Sequence, residues 1–408
     1  MDVLLSNPFF TLGLILIAGC FAGQVAHFFG IPRISGYILM GLILSPSVSG
    51  ILQLSQIYTI FGFTSQMALA IIAYSIGGSL QMGKLRDLGG PILWIVLAEG
   101  VGAFIFTCLA VLAVSTFLPF AAGSNYLMVA AVILLLGGIC VATAPAASMA
   151  IVHELRAKGP LTTTLLGVVA LDDALCILIF SAALTAAGHL TGTSEANYAV
   201  LIMGVMEVCG SLVLGLLGGY LLSFALSPGK RADANLLFIL GAIFLVSSLA
   251  TTFRFSPLLA NMMMGFFIIN KIPHADDLFH QLDLMEELIF CLFFSLAAAH
   301  FNLEILVSSA TLAIPLLVGR FAGKLIGAYL GGIFSGAPPQ VAKLLGLTLL
   351  PQAGVALGLI FLAKPMIPSE IFNFILSAML ASIILNEIIS PPLVKWALTK
   401  AGEAKPEE

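Results

Sequence analysis

Apolar runs follow one another along the chain from residue 9 to residue 397, separated by short segments rich in polar residues, glycine and proline. No ten-residue segment shows the strict apolar/polar alternation of a barrel strand, so the pattern predicts helices. Crossing a bilayer takes roughly 20 mostly apolar residues per helix. Thirteen runs qualify or come close: 9–29, 35–50, 57–80, 91–117, 127–152, 162–187, 199–226, 235–252, 256–270, 284–301, 311–334, 343–363 and 370–397. The second is short enough to be partly re-entrant. The first has no small-residue cleavage site after a basic start, which makes it a retained helix rather than a signal peptide.

Composition turns this pattern into a class. Hydrophobic residues make up 60% of the 408 positions and charged residues 9%, with a mean hydropathy of +1.13. Soluble domains carry about 25% charged residues, so this chain cannot build a water-facing surface. The expected fold is an all-α integral membrane protein of about thirteen transmembrane helices. Lys and Arg set its orientation. Twelve of the sixteen lie in one set of connections and two in the other, the remaining two being Arg320 and Lys324 inside a span. That places the C-terminus in the cytoplasm and, with an odd number of spans, the N-terminus outside. The six cysteines lie within apolar spans without a CxxC pair and read as small core residues. A net charge of −4 without a basic patch gives no sign of nucleic-acid binding. Residues 398–408 form a short cytoplasmic tail, and 1–397 a single transmembrane domain.

The halves resemble each other. IPRISGYILMGLILSP near residue 31 matches FSPLLANMMMGFFIIN near 255, pairing Met40-Gly41 with Met264-Gly265. AYSIGGSLQMGKL near 73 matches FFSLAAAHFNLEIL near 293 at a similar offset. The matched spans are seven apart, an odd number, so the copies cross the membrane in opposite directions. Spans 1–6 and 8–13 then form an inverted-topology repeat joined by span 7, the architecture of secondary transporters with a midplane site. Interrupted helices at equivalent places mark such a site. Span 5 carries Thr143-Ala144-Pro145 after two glycines, and span 12 carries Pro351-Gln352-Ala353-Gly354. Proline removes a backbone donor, and the freed groups in lipid need protein or a water-filled cavity. Crossing half-helices would present both positive and negative ends to an ion.

Ionisable residues within spans are functional candidates by default. Asp172 and Asp173 stand together in span 6, in LGVVALDDALCILIF. Helical neighbours project about 100° apart, so one carboxylate can face a cationic partner and the other a cavity. Span 11 holds Arg320 and Lys324 at the i, i+4 spacing of one helix face. Lys324 is the candidate for a pairing that breaks and reforms, because lysine changes protonation when buried and arginine does not. Arg320 is expected to anchor structure against Glu99, its counterpart 221 residues earlier in span 4. Asn386 and Glu387 in span 13 occupy the repeat position of the Asp pair, Glu387 as a helix-locking partner or a second proton-linked group. Glu207 in span 7 stands alone without an account, and His300 near the end of span 10 reads as a solvated or satisfied histidine. Scattered His and Cys lack metal-site spacing, and nothing calls for a cofactor or for enzyme chemistry.

At these residues the chain resembles the monovalent cation:proton antiporter family, which includes Kef-type potassium systems and two-aspartate sodium/proton antiporters. The resemblance runs through IPRISGYILMGLILSP, ATAPAA, GVVALDDAL, FSPLLANMMMGF, GRFAGK and LLPQAGVALGL, nearly the whole chain. It implies that Asp173 is the principal cation and proton carboxylate, Asp172 its partner and Lys324 the competing cation. Thr143 and the broken-helix backbone would line the Na⁺ site. It further implies a homodimer, with about 9–80 and 235–301 as scaffold, 91–187 and 311–397 as core, and 199–226 as linker. Two departures stand out. Kef-type members have Gln in place of Asp172 and add a nucleotide-binding C-terminal domain. The usual Thr-Ser-Pro is Thr143-Ala144-Pro145 here, which removes a hydroxyl from the ion path.

The expected activity is therefore exchange of Na⁺ or Li⁺ for H⁺ across a cell membrane by alternating access. Two protons would move per sodium if both aspartates and the lysine titrate. Exchange of K⁺ for H⁺ on the same scaffold is the nearest alternative. A cation channel or sensor, and a Na⁺-coupled organic-anion symporter, are alternatives of other kinds.

Overall fold

A computed structural model describes residues 7–52, 54–118, 125–192, 199–226, 232–273, 275–299, 309–352 and 354–404. His300, Lys230, Arg231 and Lys405 lie outside them. The described residues form fifteen α-helices and no strand. In chain order these are α1 (Pro8–Phe28), α2 (Arg33–Leu44), α3 (Leu54–Ser79), α4 (Met82–Val114), α5 (Tyr126–Ile139) and α6 (Pro145–Glu154). Next come α7 (Pro160–Thr191), α8 (Ala199–Ala225), α9 (Ala232–Thr252), α10 (Pro257–Lys271) and α11 (Asp276–Ala299). The last four are α12 (Ala310–Phe334), α13 (Pro339–Thr348), α14 (Gly354–Ala363) and α15 (Ser369–Lys400). Spans 5 and 12 account for two helices each, α5 with α6 and α13 with α14. The other eleven spans each correspond to one helix. Seven of the described helices are long and apolar enough to cross a membrane alone. The second span is a plain helix of 12 residues, about 18 Å long at 1.5 Å per residue.

Polarity is inverted relative to a soluble protein. Phe21, Phe28, Leu221 and Leu245 are exposed, whereas Glu99, Asp172, Arg320 and Lys324 have no exposed surface. A lipid-facing chain must turn its apolar side chains outward and satisfy charge internally.

The helices sort into two packed groups. One contains α1, α2, α3, α10 and α11, with α9 against α10; the other contains α4–α7 with α12, α13 and α15. Helix α8 packs on α10 and also on α7. At one end of the bundle the two groups are tied through α6. There His153 Nδ1 lies 2.8 Å from Glu286 of α11, and Glu154 accepts the Arg33 backbone N–H at 2.9 Å.

Glycine sets the closest crossings, and their pattern reveals the repeat. Helix α12 carries Gly319, Gly323, Gly327 and Gly331 at four-residue spacing, and an added Cβ on any of them would strike α4. Small residues at that spacing let membrane helices approach backbone to backbone. A Cβ on Gly323 would meet the Gly102 carbonyl, and one on Gly102 would meet the Gly323 carbonyl. Likewise Gly319 faces the carbonyl of Phe106, and Gly327 that of Ala98. Residues 98 and 319, 102 and 323, and 106 and 327 are all 221 apart, so the contacts exchange partners as a twofold relation requires. The other group repeats the rule: Gly41 of α2 meets the Ser295 carbonyl of α11, and Gly265 of α10 meets the Tyr74 carbonyl of α3.

Candidate functional site

The two broken spans cross at the middle of the second helix group. The first break lies between Ile139, where α5 ends, and Pro145, where α6 begins; the second lies between Thr348, where α13 ends, and Gly354, where α14 begins. The breaks touch directly, since the Ala144 N–H donates to the Pro351 carbonyl at 2.8 Å. Ser148 of α6 donates to the Thr348 carbonyl at 2.9 Å. Proline explains both the interruption and the restart. Pro145 opens α6 at a position where its missing N–H costs nothing, and Pro351 cannot continue α13.

Interrupting a helix leaves carbonyls without intrahelical partners, and here Arg320 collects them. Its guanidinium donates to the carbonyls of Ala142 at 2.8 Å, Pro351 at 3.2 Å and Leu350, and lies 3.5 Å from that of Leu349. A planar fork with five donors suits four converging acceptors, and its charge sits at the negative ends of α5 and α13. The expected pairing of Arg320 with Glu99 is therefore not formed. The carbonyls of both breaks claim the guanidinium, and Glu99 turns to Lys324.

Lys324 sits one turn further along α12 at the centre of a buried cluster. Its Nζ donates to Thr143 Oγ1 at 2.8 Å and to the two Asp172 oxygens at 3.2 and 3.4 Å. Glu99 Oε2 approaches the same nitrogen to 2.5 Å, at angles outside those of a hydrogen bond. The glycine crossing explains this reach, because Glu99 precedes Gly102 by one turn and Lys324 follows Gly323 directly.

The adjacent aspartates on α7 diverge, as helical geometry requires. Asp172 faces Lys324 and Thr143. Asp173 points the other way and is 3% exposed, with neither oxygen hydrogen-bonded among the described residues. It lines a cavity with room for about one water molecule, together with Pro145 and Ala146 of α6 and apolar side chains of α3 and α10. That cavity lies at the boundary between the two helix groups, beside the positive N-terminal end of α6.

The other expected site residues lie nearby. Gln352 is buried in the second break, its amide 3.5 Å from the Ile139 carbonyl. Gly354 opens α14. Asn386 accepts from Ser390 at 2.5 Å within α15. Glu387 is buried beside the second break, next to the Gln352 backbone and near Arg320. Glu207 stands apart on α8, half-buried.

Glu403 is the contact that sequence reasoning missed. This residue follows α15, and its carboxylate accepts the N–H groups of Leu161 and Thr162 and the Thr162 hydroxyl, each at 2.7 Å. It thus caps the aspartate helix α7, whose own N-cap, Gly159, has no side chain to do so. The bare Gly159 cap in the sequence was a signal; its remote partner was not.

Crossing broken helices, glycine contacts related by a twofold and a buried charge cluster beside a boundary cavity are features of ion-coupled secondary transporters. The family model described as "Sodium/hydrogen exchanger, transmembrane" matches residues 12–396, and the chain belongs to this family. It is a multi-pass membrane protein of a cation/proton exchanger family. The chain is 22% identical over 395 residues to a Na⁺/H⁺ antiporter of Enterococcus hirae, covering 95% of this chain and 97% of that one. It is 23% identical over 392 residues to the ammonium/H⁺ antiporter subunit AmhT of Alkalihalophilus pseudofirmus, covering 92% of each. To the Na⁺/H⁺-K⁺ antiporter GerN of Bacillus cereus it is 21% identical over 405 residues, covering 97% of each. The fold matches a structure of the sodium proton antiporter MjNhaP1 from Methanocaldococcus jannaschii at pH 8, with a TM-score of 0.71 and 21% identity over 98% of both chains.

Proposed function

We propose that this protein exchanges Na⁺ or Li⁺ for H⁺ by alternating access, with Asp173 as the carboxylate that takes cation and proton in turn. The observation that supports this most is the contrast between the two aspartates. Asp172 is tied to Lys324, whereas Asp173 is buried without a hydrogen bond at a boundary where helix groups can part. A bare carboxylate there is costly to bury unless something neutralises it. Either a proton or a monovalent cation does so, and only a neutralised site crosses the barrier, so the two loads exchange.

On this reading Asp172 and Thr143 complete the cation site, and Lys324 holds Asp172 when no cation is bound. Arg320, Ala144, Pro145, Pro351, Gln352 and Gly354 keep the crossing rigid, with Asn386 and Glu387 supporting it. Helices α4–α7 and α12–α15 move as a core against the α1–α3 and α9–α11 scaffold, linked by α8. The assembly is a homodimer in the cell membrane, with the N-terminus outside and the C-terminus cytoplasmic. The Glu154 and Glu286 contacts then form and break during each cycle.

Asp173→Asn in proteoliposomes tests the assignment. The variant is expected to insert normally and to lose Na⁺-driven proton movement. Exchange at the wild-type rate would overturn the role of Asp173. Potassium exchange is a second reading, supported by the likeness to the Na⁺/H⁺-K⁺ antiporter GerN.

A further inference from the structure

We infer that Glu99 is a positioning residue for transport: it holds the Lys324 ammonium off Asp172 and thereby sets the apparent affinity for the cation. The inference rests on the exchange reading above.

Three observations carry it. First, the Lys324 nitrogen lies 2.5 Å from Glu99 and 3.2 Å from the nearer Asp172 oxygen, so the ammonium is shared and leans toward Glu99. Second, all three groups have no exposed surface. Water cannot screen the attraction between them, and a charge left alone there is strongly destabilising. Third, the Glu99–Lys324 distance is set by backbone. The Gly102–Gly323 crossing, where neither residue can accept a Cβ without moving the other helix, lies next to both side chains. Because α4 and α12 belong to the same packed group as α7, the three charges stay together as that group moves.

Lys324 competes with the transported cation for Asp172. Were Asp172 its sole anionic partner, the ammonium would close on it completely, and an incoming cation would have to displace a full ion pair. Glu99 supplies a second anion in a fixed place, so the lysine keeps a charged partner while Asp172 turns to the cation. Removing Glu99 therefore weakens cation binding without touching the cation. Removing Lys324 as well abolishes the competition, and the effect of Glu99 disappears with it.

The experiment measures the Na⁺ dependence of exchange by the wild type, Glu99→Gln, Glu99→Asp, Lys324→Met and the Glu99→Gln/Lys324→Met double variant in proteoliposomes. Glu99→Gln is expected to raise the apparent KM for Na⁺ by about tenfold or more, the size expected of a close buried charge pair, with the maximal rate within about twofold of wild type. Glu99→Asp withdraws the carboxylate by one methylene, keeps its charge, and is expected to raise KM by a smaller factor. In the Lys324→Met background, Glu99→Gln is expected to leave KM unchanged. An unchanged KM in both Glu99 variants overturns the inference, as does the same rise in KM with and without Lys324. If Glu99→Gln fails to insert, Glu99→Asp and the double variant decide between these outcomes by the same criteria. Absence of Na⁺-driven proton movement in the wild type is a different result, because it removes the exchange reading itself.

Discussion

Arg320→Lys is the substitution that best separates a structural clip from a transport charge. The charge stays, and the fork that grips both breaks is lost. Arg320 donates to three carbonyls within hydrogen-bond distance, those of Ala142, Leu350 and Pro351, with Leu349 at the outer limit. A single ammonium on a shorter stem reaches one of them. Two charged hydrogen bonds are then lost, at about 1.5–3 kcal/mol each, a destabilisation of about 3–6 kcal/mol. Relaxation of the breaks reduces this, and the freed carbonyls, buried away from water, increase it. Thermal unfolding of the purified protein in detergent is the assay, and the midpoint is expected to fall by several degrees. An Arg320→Lys protein that unfolds at the wild-type temperature would refute the assignment of Arg320 as the clasp of the crossing.

Other substitutions probe other links. Glu403→Gln removes the charge that caps α7 and is expected to cost about 0.5–2 kcal/mol, seen as a lower melting midpoint with exchange largely retained. Gly323→Leu pushes side-chain atoms into the Gly102 backbone; overpacking of about 1–3 kcal/mol or more and loss of the Glu99–Lys324 approach should reduce both stability and transport. Thr143→Val keeps the shape and deletes the hydroxyl that receives the Lys324 hydrogen bond, a loss of about 1–3 kcal/mol that should appear as a change in Na⁺ dependence; an identical Na⁺ curve would exclude Thr143 from the site.

Much of this architecture is legible in the chain because lipid leaves few choices. Apolar run length marks the spans, and the two proline-bearing interruptions mark the crossing. An aspartate pair inside an apolar helix is costly anywhere except at a site. The divergence of Asp172 and Asp173 follows from helical geometry alone. What was not legible depends on how helices turn toward one another. An offset of 221 residues pairs Glu99 with Arg320 as equivalents, but equivalence is not contact: the twofold relation places Gly102 against Gly323, and the rotation that follows sends Glu99 to Lys324. The carbonyls that draw Arg320 away carry no side-chain signature, because they are backbone groups freed by the breaks. Gly319, Gly323, Gly327 and Gly331 were visible as a four-residue series, yet only the crossing shows that α4 is their partner. The Glu403 cap joins residues more than 240 positions apart and has no local pattern.

The most direct test of the central claim follows internal pH with a dye in proteoliposomes while Na⁺, Li⁺ or K⁺ is added outside, for wild type and Asp173→Asn in parallel. The account predicts that Na⁺ and Li⁺ drive proton movement in the wild type and that Asp173→Asn abolishes it. Proton movement driven by K⁺ alone would contradict the proposed selectivity, and undiminished Na⁺-driven movement in Asp173→Asn would contradict the mechanism.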